Sequence, residues 1–230
     1  MKYSDIIKAK FIERPNRFIA VVDIDGNVEK VHVKNTGRCK ELLIKGVDVI
    51  LEKSDKAERK TRYSLIAVYK GNTLINMDSQ VPNAAAFEAV KEGKIDLIGI
   101  PDKIKREVKY GSSRFDLYFE KGDRKGFIEV KGVTLENDGI AAFPDAPTDR
   151  GTKHINELTE AVKEGYEAYI LFVVQMKGVK EVIPNGKTDP DFEEALKRAN
   201  KSGVSVLAYD CIIEENSIIM DKPLPVKNIE

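Results

Sequence analysis

The chain has few cysteines and no long apolar run. Its two cysteines, Cys39 and Cys211, stand far apart without a C-x-x-C spacing, which argues against a disulfide framework and against a cysteine-based zinc site. No apolar stretch approaches the ~20 residues that a membrane helix needs, and the first residues lack the apolar core of a signal peptide. The sequence therefore predicts a soluble cytoplasmic protein with no membrane partner.

The formal net charge is zero, which on its face argues against a nucleic-acid partner. The average conceals an asymmetry, because residues 1–82 carry 16 basic and 11 acidic side chains whereas residues 83–230 carry 22 basic and 27 acidic ones. A basic half can follow a phosphate backbone while an acidic half binds a cation. The alternative is a chance imbalance of a few charges.

Residues 1–82 are rich in short β-branched and aromatic runs that turn signals separate, among them Asp25-Gly26-Asn27. Five short strands in so few residues indicate a small β-barrel of the OB-fold type. The strands are expected at 10–13, 18–24, 28–33, 47–53 and 64–69.

In residues 83–230 the sequence pattern changes from strands alone to alternating helices and strands. Asn83 is expected to cap a helix over 84–92, a second helix should begin at Asp149 or Thr152, and Asp189 should start a third. A buried strand is expected at 168–174, and a strand at 204–209 closes the series. Alternation of strands and helices predicts a mixed-sheet α/β domain.

Two acids and a lysine stand out within this second domain. Asp116 lies on one predicted strand and Glu129 on the next, with the turn signal Gly122-Asp123 between them, so a hairpin would bring the carboxylates together. Lys131 follows Glu129 by two residues and shares its face of the strand. Carboxylate oxygens suit Mg²⁺ or Mn²⁺, and a lysine beside them could activate water or stabilise charge on a phosphate. The alternative is an exposed hairpin with a Glu–Lys contact.

The spacing Asp-x12-Glu-Val-Lys resembles the PD-(D/E)xK nuclease-like superfamily. The surrounding motifs, NTG at 35–37, EVKYG at 107–111, RFD at 114–116, IEVKGVTL at 128–135 and FPDAPTDRGTKH at 143–154, together resemble the sugar fermentation stimulation protein A (SfsA) family over nearly the whole chain. The resemblance implies the barrel, a nuclease-like domain, and a metal site at Asp116 and Glu129 aided by the Val130 carbonyl.

Further acids could complete such a site. Glu107 is a candidate upstream ligand, although Lys105 and Arg106 could instead neutralise it as a surface pair. Asp145 is open to two interpretations, a third metal ligand or a residue that caps the following helix.

Basic residues are the candidates for contact with nucleic acid. Arg150 could hold a phosphate at the start of a helix, and His154 one turn later could face the same edge or be a structural histidine. The barrel groove could use Phe18 and the charged loop 53–62, which could equally be only solvated. The proposed cationic contacts, apart from Arg150 and His154, are Arg14, Arg17, Arg38, Lys40, Arg59, Lys60, Arg62 and Arg114.

Two functions follow from these features. One is a metal-dependent nuclease fed by the barrel, with DNA as the expected partner. The other, which the family name implies, is a non-catalytic DNA-binding regulator of sugar metabolism genes. A helix-turn-helix factor finds little support, because no pair of adjacent short helices carries a basic recognition face.

Overall fold

The computed structural model describes residues 1–35, 37–54 and 58–230. Its N-terminal part is a β-barrel in which the neighbouring strands of the sheet follow the order β3-β2-β1-β4-β5-β6. A parallel pairing of β3 with β5, from His32 opposite Ser64 to Val33 opposite Leu65, closes the barrel. The strands are β1 (Ile6–Asn16), β2 (Ile19–Ile24), β3 (Asn27–Val33), β4 (Asp48–Lys53), β5 (Tyr63–Lys70) and β6 (Thr73–Asn76).

The hairpin between β2 and β3 shows how the sequence sets this register. Asp25 and Gly26 form its two-residue loop and have φ angles of 51° and 86°. Positive φ at both positions is the geometry of a type I′ turn, whose twist matches that of the flanking strands and which favours Asp-Gly. The barrel predicted from the sequence is confirmed, and β6 is an addition to the five expected strands.

The C-terminal part is built on a six-stranded sheet of order β15-β14-β12-β9-β8-β7. β12 pairs in parallel with β9 and β14, and the outer pairs are antiparallel. The sheet strands are β7 (Lys103–Tyr110), β8 (Ser113–Lys121), β9 (Arg124–Val133), β12 (Glu167–Val174), β14 (Ser205–Glu214) and β15 (Ser217–Leu224), and a small second sheet has β10 (Glu136–Asn137), β11 (Ile140–Phe143) and β13 (Glu181–Pro184).

Helices cover both faces of the six-stranded sheet. α1 (Val81–Lys91) packs against β15 and β9, whereas α2 (Asp149–Lys163) packs on β12 and against α3 (Pro190–Lys201). All residues of β12 after Glu167 are buried, as expected for a central parallel strand with both faces covered. The predicted α/β domain is thus confirmed. No helix of the described chain is long and apolar enough to cross a membrane.

Two local predictions were wrong. Asn83 does not cap α1, because the helix begins at Val81 after Gln80, with Pro82 in its first turn. Strand 204–209 does not close the series, since it extends to Glu214 and β15 follows. Asp189 does cap α3, accepting a hydrogen bond from the Phe192 amide at 3.0 Å, and α2 begins at Asp149 after the Thr148 cap.

The barrel and the α/β part share one apolar cluster, which runs from Val22 and Leu65 to Phe172 and Leu196. Buried polar contacts reinforce this junction. The Gln175 amide nitrogen, just after β12, donates to the carbonyl oxygen and side-chain oxygen of Asn76 at the end of β6. The two parts are therefore packed against each other through both apolar and polar contacts.

Candidate metal and nucleic-acid site

The β8–β9 hairpin brings the predicted acids together. Its backbone ladder runs from Lys121 opposite Arg124 to Leu117 opposite Ile128. There the Asp116 side chain takes over, since its Oδ2 accepts a hydrogen bond from the Val130 amide at 2.7 Å. This hydrogen bond holds the Asp116 carboxylate at the open end of the hairpin, next to the strand that carries Glu129.

Glu129 is buried, with only 3% of its surface exposed. Its Oε1 accepts from the Lys131 ammonium at 2.7 Å and lies 2.5 Å from His154 Nδ1. Its Oε2 is also buried, and no described residue donates a hydrogen bond to it. A buried carboxylate oxygen without a donor is costly unless a ligand satisfies it.

The pKa values of Asp116 and Glu129 shift in opposite directions. Burial, and then the nearby Glu129 charge, raise the pKa of Asp116 to about 6. Burial works in the same direction at Glu129, but the hydrogen bond from His154 and the Lys131 charge prevail and lower the pKa of Glu129. Two neighbouring carboxyl groups that repel each other form a negative site that a divalent cation would neutralise.

Asn83, which the sequence predicted to cap α1, instead contacts Asp116. From the first turns of α1, its Nδ2 donates to Asp116 Oδ1 at 2.6 Å. With the Val130 amide on the other oxygen, both Asp116 oxygens are oriented by the protein. Pro82 was the signal that could have corrected the assignment, because proline favours the first turn of a helix and places Asn83 inside it.

His154 and Arg150 lie together on α2. His154 is buried, its ring meets Phe115 edge-on with centroids 6.2 Å apart, and Arg150 Nε lies 3.4 Å from its Nε2. These contacts fit the tautomer with the proton on Nδ1, directed at Glu129. His154 thus holds Glu129 in place, whereas Arg150 is exposed.

A groove beside this cluster carries a surplus of cations. Arg114 and Arg150 line it as the sequence suggested, and Lys109 and Lys153, which sequence reasoning missed, add to them. Its other lining residues are Glu107, Ser112, Ser113, Asp149 and His154.

Glu107 and Asp145 lie apart from the acid pair. Glu107 sits on β7 with a φ of 54°, and its exposed carboxylate is 4.0 Å from Arg114 rather than paired with Lys105 or Arg106. Asp145 lies against Gly37 of the barrel, in a different cavity. Among the described residues, no three His, Cys, Asp or Glu side chains converge as a metal cage.

The barrel cations divide into two kinds. Both terminal nitrogens of Arg14 are engaged by backbone carbonyls, those of Arg17, Asn35, Gly37 and Arg38, so this guanidinium ties loops together. Arg17, Arg38 and Lys40 are exposed around the same pocket, and Arg17 stacks over the Phe18 ring at 4.8 Å.

Two arginines of the charged loop 53–62 contact nearby barrel residues. Arg59 donates to Ser64 Oγ at 3.1 Å, Arg62 lies over the Tyr63 ring, and Lys60 is exposed. Residues 55–57 of this loop, and Thr36 of the NTG motif, lie outside the described residues.

Both parts of the chain match families of known proteins. Residues 12–77 match the family described as the SfsA N-terminal OB domain, and residues 80–217 match the sugar fermentation stimulation protein RE domain. A sugar fermentation stimulation protein homolog of Alkaliphilus oremlandii is 58% identical, over 96% of each chain. One from Clostridium beijerinckii is 56% identical, over 95% of this chain and 96% of the relative.

The fold has a solved counterpart. The structure of SfsA from Pyrococcus furiosus, in complex with Ca²⁺, superposes with a TM-score of 0.88 and 30% identity, covering 99% of this chain and 98% of that one. From the two matching domains, the close relatives and this structure, it follows that the chain belongs to the sugar fermentation stimulation protein (SfsA) family.

Proposed function

We propose that the protein binds nucleic acid, with DNA as its expected ligand, and hydrolyses phosphodiester bonds at a nuclease-type metal site. The observation that carries the proposal is Glu129 Oε2, a buried oxygen without a donor among the described residues, on a side chain that contacts Lys131 and interacts electrostatically with Asp116. Buried polar atoms usually have a hydrogen-bond partner, so an orphaned carboxylate oxygen beside a second acid and a lysine is a place where a ligand can bind.

The donor set fits a hard divalent cation, Mg²⁺ or Mn²⁺, because the available groups are oxygens. Asp116 and Glu129 would hold the ion, with the Val130 carbonyl as a further ligand, whereas Glu107 and Asp145 lie apart from the pair. The Ca²⁺ in the Pyrococcus furiosus relative supports a divalent ion in this family fold. When bound, the ion supplies positive charge that stabilises the phosphate in the transition state and acidifies water.

Residues around the acid pair would orient the metal ligands and contact the substrate. Asn83 and the Val130 amide fix the two oxygens of Asp116, and His154 fixes Glu129. Lys131, whose side chain is 14% exposed, contacts Glu129 and can transfer its ammonium from that carboxylate to a scissile phosphate or to the attacking water.

Substrate contacts would come from two basic surfaces. The first is the barrel pocket with Arg17, Arg38 and Lys40, and the second is the groove with Arg114 and Arg150. Each neutralised phosphate releases counterions, so binding should weaken steeply with salt. Such a partner implies action in the cytoplasm, where the chromosome lies.

One observation favours a second candidate, a DNA-binding regulator that does not cleave. The Lys131 ammonium offsets the negative charge of Glu129, and His154 donates a hydrogen bond to the same oxygen. A protein that only binds could use the same two basic surfaces.

A cleavage assay with Lys131→Ala separates the two functions. Labelled single- and double-stranded DNA and RNA are incubated with wild-type protein in Mg²⁺, Mn²⁺ or EDTA. A nuclease should cleave only with metal, and Lys131→Ala should lower cleavage by orders of magnitude while binding persists, as expected of a group that acts in the transition state.

Lys125→Ala, on the same strand but at its exposed start, serves as the matched control and should cleave like wild type. Wild-type protein that binds DNA tightly but leaves every strand intact in both metals would favour the regulator.

A further inference from the structure

A small polar cavity of about 170 Å³ lies between the barrel and the six-stranded sheet. One wall is formed by Gly132 to Leu135, which directly follow Lys131 along the chain, and the opposite wall by Asn35 and Gly37 of the barrel. Gly37 also lines the basic pocket of Arg17 and Arg38. The cavity therefore lies between the proposed barrel grip and the proposed catalytic residues.

Gln175 directs an acceptor into this cavity. The side chain is 98% buried, as the residue is only 2% exposed, and its Nε2 donates to three oxygens, Asn76 O, Asn76 Oδ1 and Asp78 O. The reverse amide orientation would set oxygen against oxygen, so these contacts fix the assignment. The remaining atom, Oε1, accepts no hydrogen bond from a described residue, and it lines the cavity beside Gly132.

Asp145 supplies a second acceptor. Its carboxylate is exposed and approaches Gly37 so closely that a Cβ there would stand 2.3 Å from Oδ2. Thr134 lines the same space with a hydroxyl. The lining thus presents the amide oxygen of a buried side chain, an exposed carboxylate and a hydroxyl that can serve as donor or acceptor.

We propose that this cavity receives one unpaired nucleobase of the bound strand and favours bases that carry an exocyclic amino group. The inference rests on the proposed nucleic-acid function. A volume of 170 Å³ is below the ~300 Å³ of pockets for larger ligands, which suits a single ring system and excludes a base pair. Entry requires a single strand or a nucleotide turned out of a duplex.

The chemistry of the lining sets the preference. Carboxylate and amide oxygens accept hydrogen bonds from the amino group of cytosine or adenine. Thymine and uracil present carbonyl oxygens at the corresponding position, which a carboxylate repels. One well-placed acceptor pair should give a preference of roughly 5- to 100-fold.

The test compares oligo(dC), oligo(dA) and oligo(dT) of equal length by fluorescence anisotropy, at low salt in EDTA, so that neither cleavage nor metal binding contributes. The proteins are wild type, Asp145→Asn and the control Asp123→Asn, whose carboxylate is exposed in the β8–β9 turn at the far end of the hairpin. Removal of one negative charge alone should strengthen binding of all strands equally, so the ratio between strands is the diagnostic quantity.

Wild type and Asp123→Asn should prefer dC and dA over dT, and Asp145→Asn should lose most of that preference. Equal affinity of wild type for all three strands, or an unchanged dC-to-dT ratio in Asp145→Asn, would overturn the base-pocket assignment while leaving nucleic-acid binding in place. Wild type that binds no strand at all would overturn the proposed function as well.

Discussion

Asp116→Asn should make the metal-free protein more stable at neutral pH. Burial and the Glu129 charge raise the pKa of Asp116 from its ordinary 3.8 to about 6, so above pH 6 the folded protein holds an unfavourable charge. Asparagine removes that charge and keeps the local contacts. Its oxygen can accept from the Val130 amide, and the Asn83 amide can turn to offer its own oxygen to the new NH₂ group.

The sign and size follow from proton linkage. Between pH 4 and pH 6 the folded state holds the Asp116 proton more tightly than the unfolded state, so the free energy of unfolding falls as pH rises through this window. A shift of about two pKa units corresponds to about 3 kcal/mol at most, fully expressed above pH 7. The advantage of Asp116→Asn should therefore be largest at pH 7 to 8 and disappear near pH 4.

Urea unfolding in EDTA, followed at pH 4, 6 and 8, measures this difference. Asp123→Asn, which removes an exposed carboxylate, should stay close to wild type at each pH. Added Mg²⁺ should reverse the order at pH 8, since ligand binding stabilises only a protein that retains its acid pair. Loss of stability in Asp116→Asn at pH 8, or an advantage that persists at pH 4, would refute the reasoning.

Three other substitutions test separate parts of the structure. Asn83→Ala should weaken the apparent affinity for Mn²⁺ by roughly tenfold, measured by titration calorimetry, because outer-shell partners typically contribute 10- to 100-fold; unchanged affinity would remove Asn83 from the site. Asp189→Ala should cost about 1–2 kcal/mol in urea unfolding because α3 loses its cap, and an exposed Asp191→Ala control should cost less. Arg14→Lys should destabilise the fold by about 1–3 kcal/mol, since an ammonium cannot reproduce the fork that meets four carbonyls; a neutral result would show that the loops do not depend on it.

Local sequence signals predicted the parts of the fold that local rules decide. Three such predictions were confirmed: the start of α3 at Asp189-Pro190, the buried strand β12 and the turn at Gly122. Each depends on residues that are close together in the sequence, namely a helix cap, an apolar run and a tight turn. The convergence of Asp116 and Glu129 followed from one hairpin and was equally predictable.

The remaining site contacts depend on distant segments. Asn83 meets Asp116 across 33 positions of sequence, and its own neighbourhood indicated only a helix start. Arg14 looked like a surface cation because its partners are backbone carbonyls on other loops, which no side-chain pattern reveals. β15 escaped detection because Pro223 weakens a strand pattern, and such a strand is tolerated only at a sheet edge, where it lies.

The two edges of the six-stranded sheet have a bearing on assembly. β7 carries Lys103, Lys105 and Lys109, and β15 carries Lys222 and Pro223 just before its last residue, so both margins oppose the addition of another strand. Edge-to-edge growth into a continuous sheet between molecules is thereby disfavoured. The lysine-rich margin of β7 is exposed, and it can meet a polyanion while it disfavours pairing with another strand.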